Sequence, residues 1–329
     1  VTASILFLSD HPTDDGNFTY YIEREFQRLL QDAGISSHKI TTVFTENPPG
    51  GDLLNWTSPK KGLPRDYTLG PLFSGKYLSP EFFPKLRNLQ SIIEFQRPTL
   101  IVALGGVALW ALANTSAIKS HRGAVLSTKF GPVLPTLHPK ILGPAWADRI
   151  FLAADFAKAL RLSKTSNPAA RKSRRILIAP TLAELRDFDR EFLTPASTYS
   201  IDVETKLGQI TCVGFSTSPE IGAVIPFWDS TKQTGSYWET LAEERAAKSL
   251  VREWLNRPAL KLFQNGLYDM QYFLKERMPI RNAHLDTMLL QHAKFPELPK
   301  GLGFLGSIHT DEPAWKLMRD KADTIKRDE

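Results

Sequence analysis

The sequence predicts an α/β protein of two domains, the first an αβα sandwich on a mainly parallel sheet. Three observations carry this expectation. The 329 residues exceed what a single hydrophobic core commonly serves. Short apolar runs of strand length alternate with stretches of helical spacing, the pattern of α/β architecture. A polar segment, "KTSNPAARKSRR", packs basic residues around Pro168 and reads as a linker. The expected layout is therefore a first domain over 1–163, a basic linker over 164–175 and a second domain over 176–329.

In the first domain "ASILFLS" is a strand. "FTYYIEREFQRLLQDAGI" follows as a helix, with Ile22, Phe26, Leu29 and Leu30 at helical spacing and Gly34 as its C-cap. "HKITTVF" is a second strand. "SPEFFPKLRNLQSIIEFQRP" reads as one helix, opened by Ser79 with Pro80 in its first turn. "TLIVALGG" is a buried, almost wholly apolar strand. "VALWALAN" is a short helix and "GPVLPTLHP" the last strand and its loop.

After the linker, "RRILIAP" is a strand and "TLAELRDFDREFL" a helix. "YSIDVET" is the next strand, and "QITCVGFSTSPEIGAVIPFW" is two strands joined by a turn at Ser218–Pro219. "TLAEERAAKSLVREWLNRP" is a helix with Ala247, Leu250, Val251 and Trp254 on one face. "ALKLFQNGLYDMQYFLKE" is a strand, a loop and a helix, and the remainder is mostly helical.

Bulk properties narrow the function classes. The net charge of +6 lies mainly in the first half, which is compatible with a polyanionic partner. The linker's basic run is either a solvated face or a DNA contact. No apolar run reaches the ~20 residues of a membrane span, so no membrane association is expected. Cys212 is the only cysteine, which excludes a disulfide framework and fits a reducing, cytoplasmic setting.

The sharpest feature is "YSIDVET". On a strand, residues two apart share a face. Asp202 and Glu204 therefore point together while Ile201 and Val203 bury. Paired acids on one face call for a cation, and hard oxygen donors suit Mg²⁺ or Mn²⁺. Alternating acids on an exposed strand are common, so the pair needs support. Asn265 ends a later apolar strand and Asp269 opens the helix after it, where an acid is either a helix-start charge or a third ligand. Asp286 opens a further helix.

Taken in order, "YSIDVET", "FQNGLYDMQYFL" and "HLDTMLLQHAKFPELPKGLGFLGSIHT" resemble the proofreading 3′–5′ exonuclease domain of family A DNA polymerases, within the DnaQ-like nucleases. The resemblance runs from about Arg174 to the end. It implies a ribonuclease H-like mixed sheet, a two-metal Mg²⁺ or Mn²⁺ site, and a single-stranded DNA 3′ end as substrate. It also implies that Asp202, Glu204 and Asp269 are the metal-binding and catalytic acids. The family's remaining acid follows a Tyr or His in a later motif. Asp311, Asp320, Asp323 and Asp328 lack that context, so the chain is expected to stop short of that motif and of a polymerase domain.

The first half carries "LFLSDHPTDDG", "TLIVALGGVALWAL" and "GPVLPTLHPKIL". In this order they resemble the uracil-DNA glycosylase superfamily, nearest its family-4 and family-5 types, without the iron–sulfur cysteines. The resemblance implies a base-flipping pocket with Asp10, His11, Thr42 and His138 as candidates. Phe18 and Tyr20 are candidate stacking rings, and Lys140 and Arg122 candidate phosphate contacts. Asp10 and Thr42 stand where the family usually has other residues, and His138 is equally readable as a loop histidine held by backbone. The expected whole is the front part of a phage-type DNA polymerase, acting in viral replication in a host cell. Its 3′–5′ exonuclease has a two-metal site left incomplete in this chain, with the second metal weakly held and poor activity expected, and its glycosylase-like domain binds DNA or a replication protein without excision. An active glycosylase fused to a nuclease and a non-catalytic docking module are the alternatives.

Overall fold

The computed structural model describes residues 4–12, 20–170 and 172–312. Asp15 and Phe18, and with them one candidate stacking ring, lie outside the described residues, as do Asp320, Asp323 and Asp328. The chain divides into two compact units, 1–170 with 303–329 and 171–302.

The first unit is built on strands β1 (Ile5–Ser9), β2 (His38–Thr42), β5 (Leu100–Leu104), β6 (Leu126–Thr128) and β7 (Gly131–Thr136). Their order is β2-β1-β5-β7-β6, parallel except for the antiparallel edge strand β6. A small hairpin, β3 (Thr57–Pro59) with β4 (Lys76–Leu78), lies outside this sheet. Helices α1 (Tyr20–Asp32), α2 (Leu89–Gln96), α3 (Gly105–Ala113), α4 (Ile118–His121) and α5 (Arg149–Ser163) complete the layers.

Strand alternation divides the core between the two faces of the sheet. Ile5, Phe7, Leu100, Val102 and Leu104 pack with Phe26 of α1 and Phe156 of α5. Leu8, Ile101, Ala103 and Val133 pack with Leu109 and Trp110 of α3 and with Trp56. This is the predicted αβα sandwich. Gly34 ends α1 in the left-handed region at φ 75°, as its sequence position suggested. The single helix expected from Ser79 is instead two pieces. A 3₁₀ turn spans Pro80–Lys85 with Pro84 inside it, Leu86 is extended, and α2 starts afresh under an Asn88 cap. Pro84 has no N–H to donate and forbids a continuous α-helix there.

The second unit starts with β8 (Arg175–Leu177) and α6 (Leu182–Phe188). Then come β9 (Thr198–Lys206), β10 (Gln209–Ser218), β11 (Ile221–Pro226), α7 (Leu241–Asn256), β12 (Leu260–Phe263), α8 (Gly266–Lys275), β13 (Leu285–Asp286) and α9 (Thr287–Lys294). The strand order is β13-β12-β9-β10-β11-β8. Neighbours β9/β10 and β10/β11 are antiparallel, while β9/β12, β12/β13 and β11/β8 are parallel. Apart from the edge strand β8, this is the ribonuclease H-like sheet, with β9 at its centre. Tyr199, Ile201 and Val203 of β9 pack under Val251 and Trp254 of α7 and Phe273 of α8. The basic run before β8 is held locally, Lys172 on Glu220 at 3.2 Å and Arg175 on Glu191 at 3.0 Å.

Helix α10 (Leu302–His309) is where the sequence layout and the structure part. Over 303–312 the chain belongs to the first unit, although the resemblance to the exonuclease domain places it in the second. The cause is an ionic socket between the loop at Arg122 and helix α5. Arg122 grips Asp155 through one nitrogen at 2.9 and 3.1 Å, donates to Ser307 Oγ, and lies over the Phe151 and Phe304 rings. Asp155 is fully buried and also accepts from Thr136 at 2.6 Å. Lys158 donates to the carbonyls of Gly123 (2.8 Å), Thr310 (2.7 Å) and Ser307. Burial pulls the Lys158 ammonium down to about 8. Arg161 adds a two-point pair with Asp311 at 2.6 Å.

Arg122 is therefore a structural cation and not a phosphate contact. Removing one partner of a buried pair leaves the other charge stranded. Asp155→Ala is expected to destabilise the chain by ~3–5 kcal/mol in urea unfolding, whereas Arg161→Ala, at the solvent-exposed pair, costs less than ~1 kcal/mol. Equal effects of the two would contradict the socket as described.

Candidate active site

The site grows from β9. Its burial alternates, so Ile201 and Val203 enter the core while Asp202 and Glu204 face solvent on the same side. The parallel ladder to β12 pairs Thr198, Tyr199 and Ser200 and goes no further. β12 ends at Phe263, and Asn265, in the left-handed region at φ 61°, turns the chain into α8. Gly266 is required there, because a Cβ would lie 2.6 Å from the Phe263 Cβ.

One turn into α8 comes Asp269, only 3% exposed. Its Oδ1 accepts from the Val203 N–H at 2.9 Å. The acid from the helix is thus fastened to the backbone of the residue lying between Asp202 and Glu204. Burial pushes the Asp269 carboxyl up to about 6, the Val203 amide opposes this, and the Asp202 and Asp286 charges add to it. Glu204 stands opposite Cys212 on β10. Burial raises the Cys212 thiol, and the charges of Glu204 and then Asp202 add to that. All three predicted acids therefore belong to one neighbourhood at the centre of the sheet.

A second tie between the same elements carries no local signal in the chain. The Tyr268 hydroxyl and Thr205 Oγ1 are 2.5 Å apart, joining the residue before Asp269 to the residue after Glu204. The Tyr268 ring is half-exposed and meets the Tyr272 ring at 5.1 Å.

The donor chemistry of Asp202, Glu204 and Asp269 fits a hard divalent cation such as Mg²⁺ or Mn²⁺. Among the described residues, however, no group of three or more His, Cys, Asp or Glu side chains is gathered closely enough to hold an ion. The fit is therefore one of donor type, not of a closed cage. Asp311, considered above as a further acid, is committed to Arg161 in the first unit.

In the first unit the pocket candidates meet at the carboxyl ends of β1, β5 and β7. Chain order reverses between β1 and β5, the usual position of a ligand crevice in open α/β sheets. Gly105 approaches His138 so closely that a Cβ would lie 2.9 Å from the histidine's Cβ. His138 Nδ1 accepts from the Lys140 N–H at 3.0 Å, which leaves the proton on Nε2. That Nε2 faces Ser9 Oγ at 3.0 Å and Asp10 Oδ1 at 3.1 Å.

Asp10 also accepts from Ser9 Oγ, the His11 N–H and Lys140 Nζ. Burial works to raise its carboxyl, but His138, Lys140 and His11 outweigh that and hold it well below the usual range. His11 is buried and turns Nδ1 to the Pro12 carbonyl at 2.8 Å. Thr42 is buried too, donating to the Phe44 carbonyl at 2.6 Å and accepting from Arg87 at 3.0 Å. Its hydroxyl is engaged with the fold through both contacts. Tyr20, at the start of α1, is 78% exposed.

No protein-family model and no curated protein matches the chain. Among solved structures, Escherichia coli RNase D, described as an exoribonuclease involved in structured RNA processing, is 17% identical, covering 42% of this chain and 34% of its own, with TM-score 0.29. Brucella melitensis NrnC is 16% identical over 41% of this chain and 60% of its own, with TM-score 0.26. The EXD2 exonuclease domain soaked in Mn and GMP is 15% identical over 44% and 73%, with TM-score 0.29. The matched region thus spans about a third of RNase D.

The raised Asp269 carboxyl has a consequence in metal-free solution. A group held above its unfolded value of 3.8 contributes stability that is complete below that value and lost as pH climbs through about 6. Asp269→Asn is expected to raise the metal-free melting temperature at pH 7.5 by roughly 2–5 °C and to flatten its change between pH 5 and 7.5. Added Mn²⁺ is expected to raise the melting temperature of the wild type and not of this variant. A variant that melts lower with the wild-type pH slope would rule this out.

Proposed function

We propose that the second unit is a metal-dependent exonuclease that removes nucleotides from the 3′ end of a single strand. The observation that carries this reading is the Val203–Asp269 hydrogen bond, which sets a buried acid beside two exposed acids on the central strand. A divalent cation held by Asp202, Glu204 and Asp269 would supply activation of the attacking water and charge for the leaving 3′ oxygen.

The chain's own residues do the rest. β9 presents Asp202 and Glu204 outward at fixed spacing. α8 brings Asp269 to them, and the Thr205–Tyr268 contact holds a half-exposed ring beside the acids. Such rings are stacking surfaces for single strands of any sequence. The resemblance to family A polymerases supports DNA as substrate and proofreading as the setting.

The first unit is read as a glycosylase-like fold without excision chemistry. Asp10 already accepts from four donors and is held ionised, which blunts it as a general base. The same unit then serves as a binding module for DNA or for a replication protein.

End-labelled single-stranded DNA and RNA, incubated with the chain and Mn²⁺, test the first reading. A ladder shortening from the 3′ end is expected, faster on DNA. Asp202→Ala combined with Glu204→Ala should slow it by about 100- to 1,000-fold, the scale on which a lost electrostatic stabiliser acts. Equal degradation by that variant defeats the reading. Uracil-containing DNA treated with the chain and then alkali should give no breaks above background. Breaks that vanish in His138→Ala would establish a glycosylase instead.

A further inference from the structure

Asp286 ends β13, remote in sequence from all three acids. Its spacing makes it the N-cap of α9, and it does cap that helix, with Oδ1 accepting from Met288 N at 2.8 Å and Leu289 N at 3.4 Å. The same carboxylate also serves a second helix. Oδ1 accepts from the Asn265 amide at 3.1 Å, and Oδ2 from the Gly266 amide at 2.7 Å. α8 has no cap of its own, because the Asn265 side chain makes no cap hydrogen bond. One carboxylate, 9% exposed, therefore meets the orphan amides and positive dipole ends of two helices.

Asp286 is itself fixed by the sheet, lying opposite Phe263 in the β12/β13 ladder. The start of α8 is thus pinned to the strand that precedes it. Asp269 follows Gly266 by three residues, so the direction in which α8 departs decides where its carboxylate meets Val203. A small tilt of an unpinned helix start moves the acid away from Asp202 and Glu204.

We infer that Asp286 is a positioning residue for the acid site, holding Asp269 in place by fixing the first turn of α8. This rests on the exonuclease reading above. Asp286 acts through backbone amides, which engage both of its oxygens.

Two substitutions separate its two roles. Asp286→Asn keeps one acceptor oxygen, sufficient to cap α9, and offers its new amide where Gly266 needs an acceptor. Asp286→Ser caps α9 as well and is too short to reach α8. In the full chain, both variants should leave amide exchange at Met288 and Leu289 near wild type. Exchange at Gly266 and Val203 should quicken at least ~10-fold. kcat for 3′-end removal should fall about 10- to 100-fold, as for other groups that orient a metal-site ligand. KM for an oligonucleotide should stay within about two-fold, since only the acid geometry changes.

Unchanged protection at Gly266 and Val203 overturns the inference. So does a kcat loss that merely follows the unfolded fraction and disappears on cooling. If the wild type shows no Asp202-dependent degradation, the exonuclease reading fails, and the exchange data alone then decide whether Asp286 positions α8.

Discussion

Strand β9 continues past the last residue it pairs with on β12, and the Val203 N–H completes its bonding with a carboxylate instead of a carbonyl. A buried amide must find an acceptor, and the one available comes from the helix that replaces β12 at that level. The site follows from this substitution. The acceptor is an acid, so a charge is placed beside the strand. The strand alternates, so its own acids flank that charge. Gly266 and the left-handed Asn265 exist to let the helix begin close enough for the reach.

The two acid clusters differ in how their charge is satisfied. Asp10 is surrounded by donors, and its carboxyl is held low. Asp269 is buried, and burial drives its carboxyl up against its backbone donors, with the Asp202 and Asp286 charges adding to the rise. The first arrangement is electrostatically complete, and an added cation there would have to displace Lys140 or His138. Both clusters sit where α/β sheets commonly place ligands, so position in the fold does not separate them. The direction in which each carboxyl is shifted does.

Most of the fold was legible because strand and helix periods are local signals. "YSIDVET" announced both its burial and its paired acids, and Gly34 announced the end of α1. The reading failed where a residue's partner is remote. Arg122 looked like a surface cation because nothing near it in sequence reveals Asp155 or Ser307. Thr42 looked like a pocket residue because its claim on Arg87 crosses 45 positions. Asp286 was visible as a cap for the helix beside it and invisible as a cap for α8. The break at Pro84 is the exception, a local signal masked by the helical spacing around it.

The return of the chain into the first unit bears on how that unit exists at all. Residues 1–170 contain Arg122, Asp155 and Lys158, but the groups that complete the socket lie at Ser307, Thr310 and Asp311. Without them Lys158 keeps one carbonyl partner, Gly123, and Arg122 keeps Asp155 but loses the Ser307 hydroxyl and the Phe304 ring. Buried cations short of partners are costly. The first unit is complete only once the sequence of the second has been made, since 171–302 is inserted within it. Folding of the sandwich is thereby tied to a long-range contact, the slow kind to form. A front half severed near residue 165 lacks Ser307, Thr310 and Asp311, so a binding test of the first unit belongs on the whole chain.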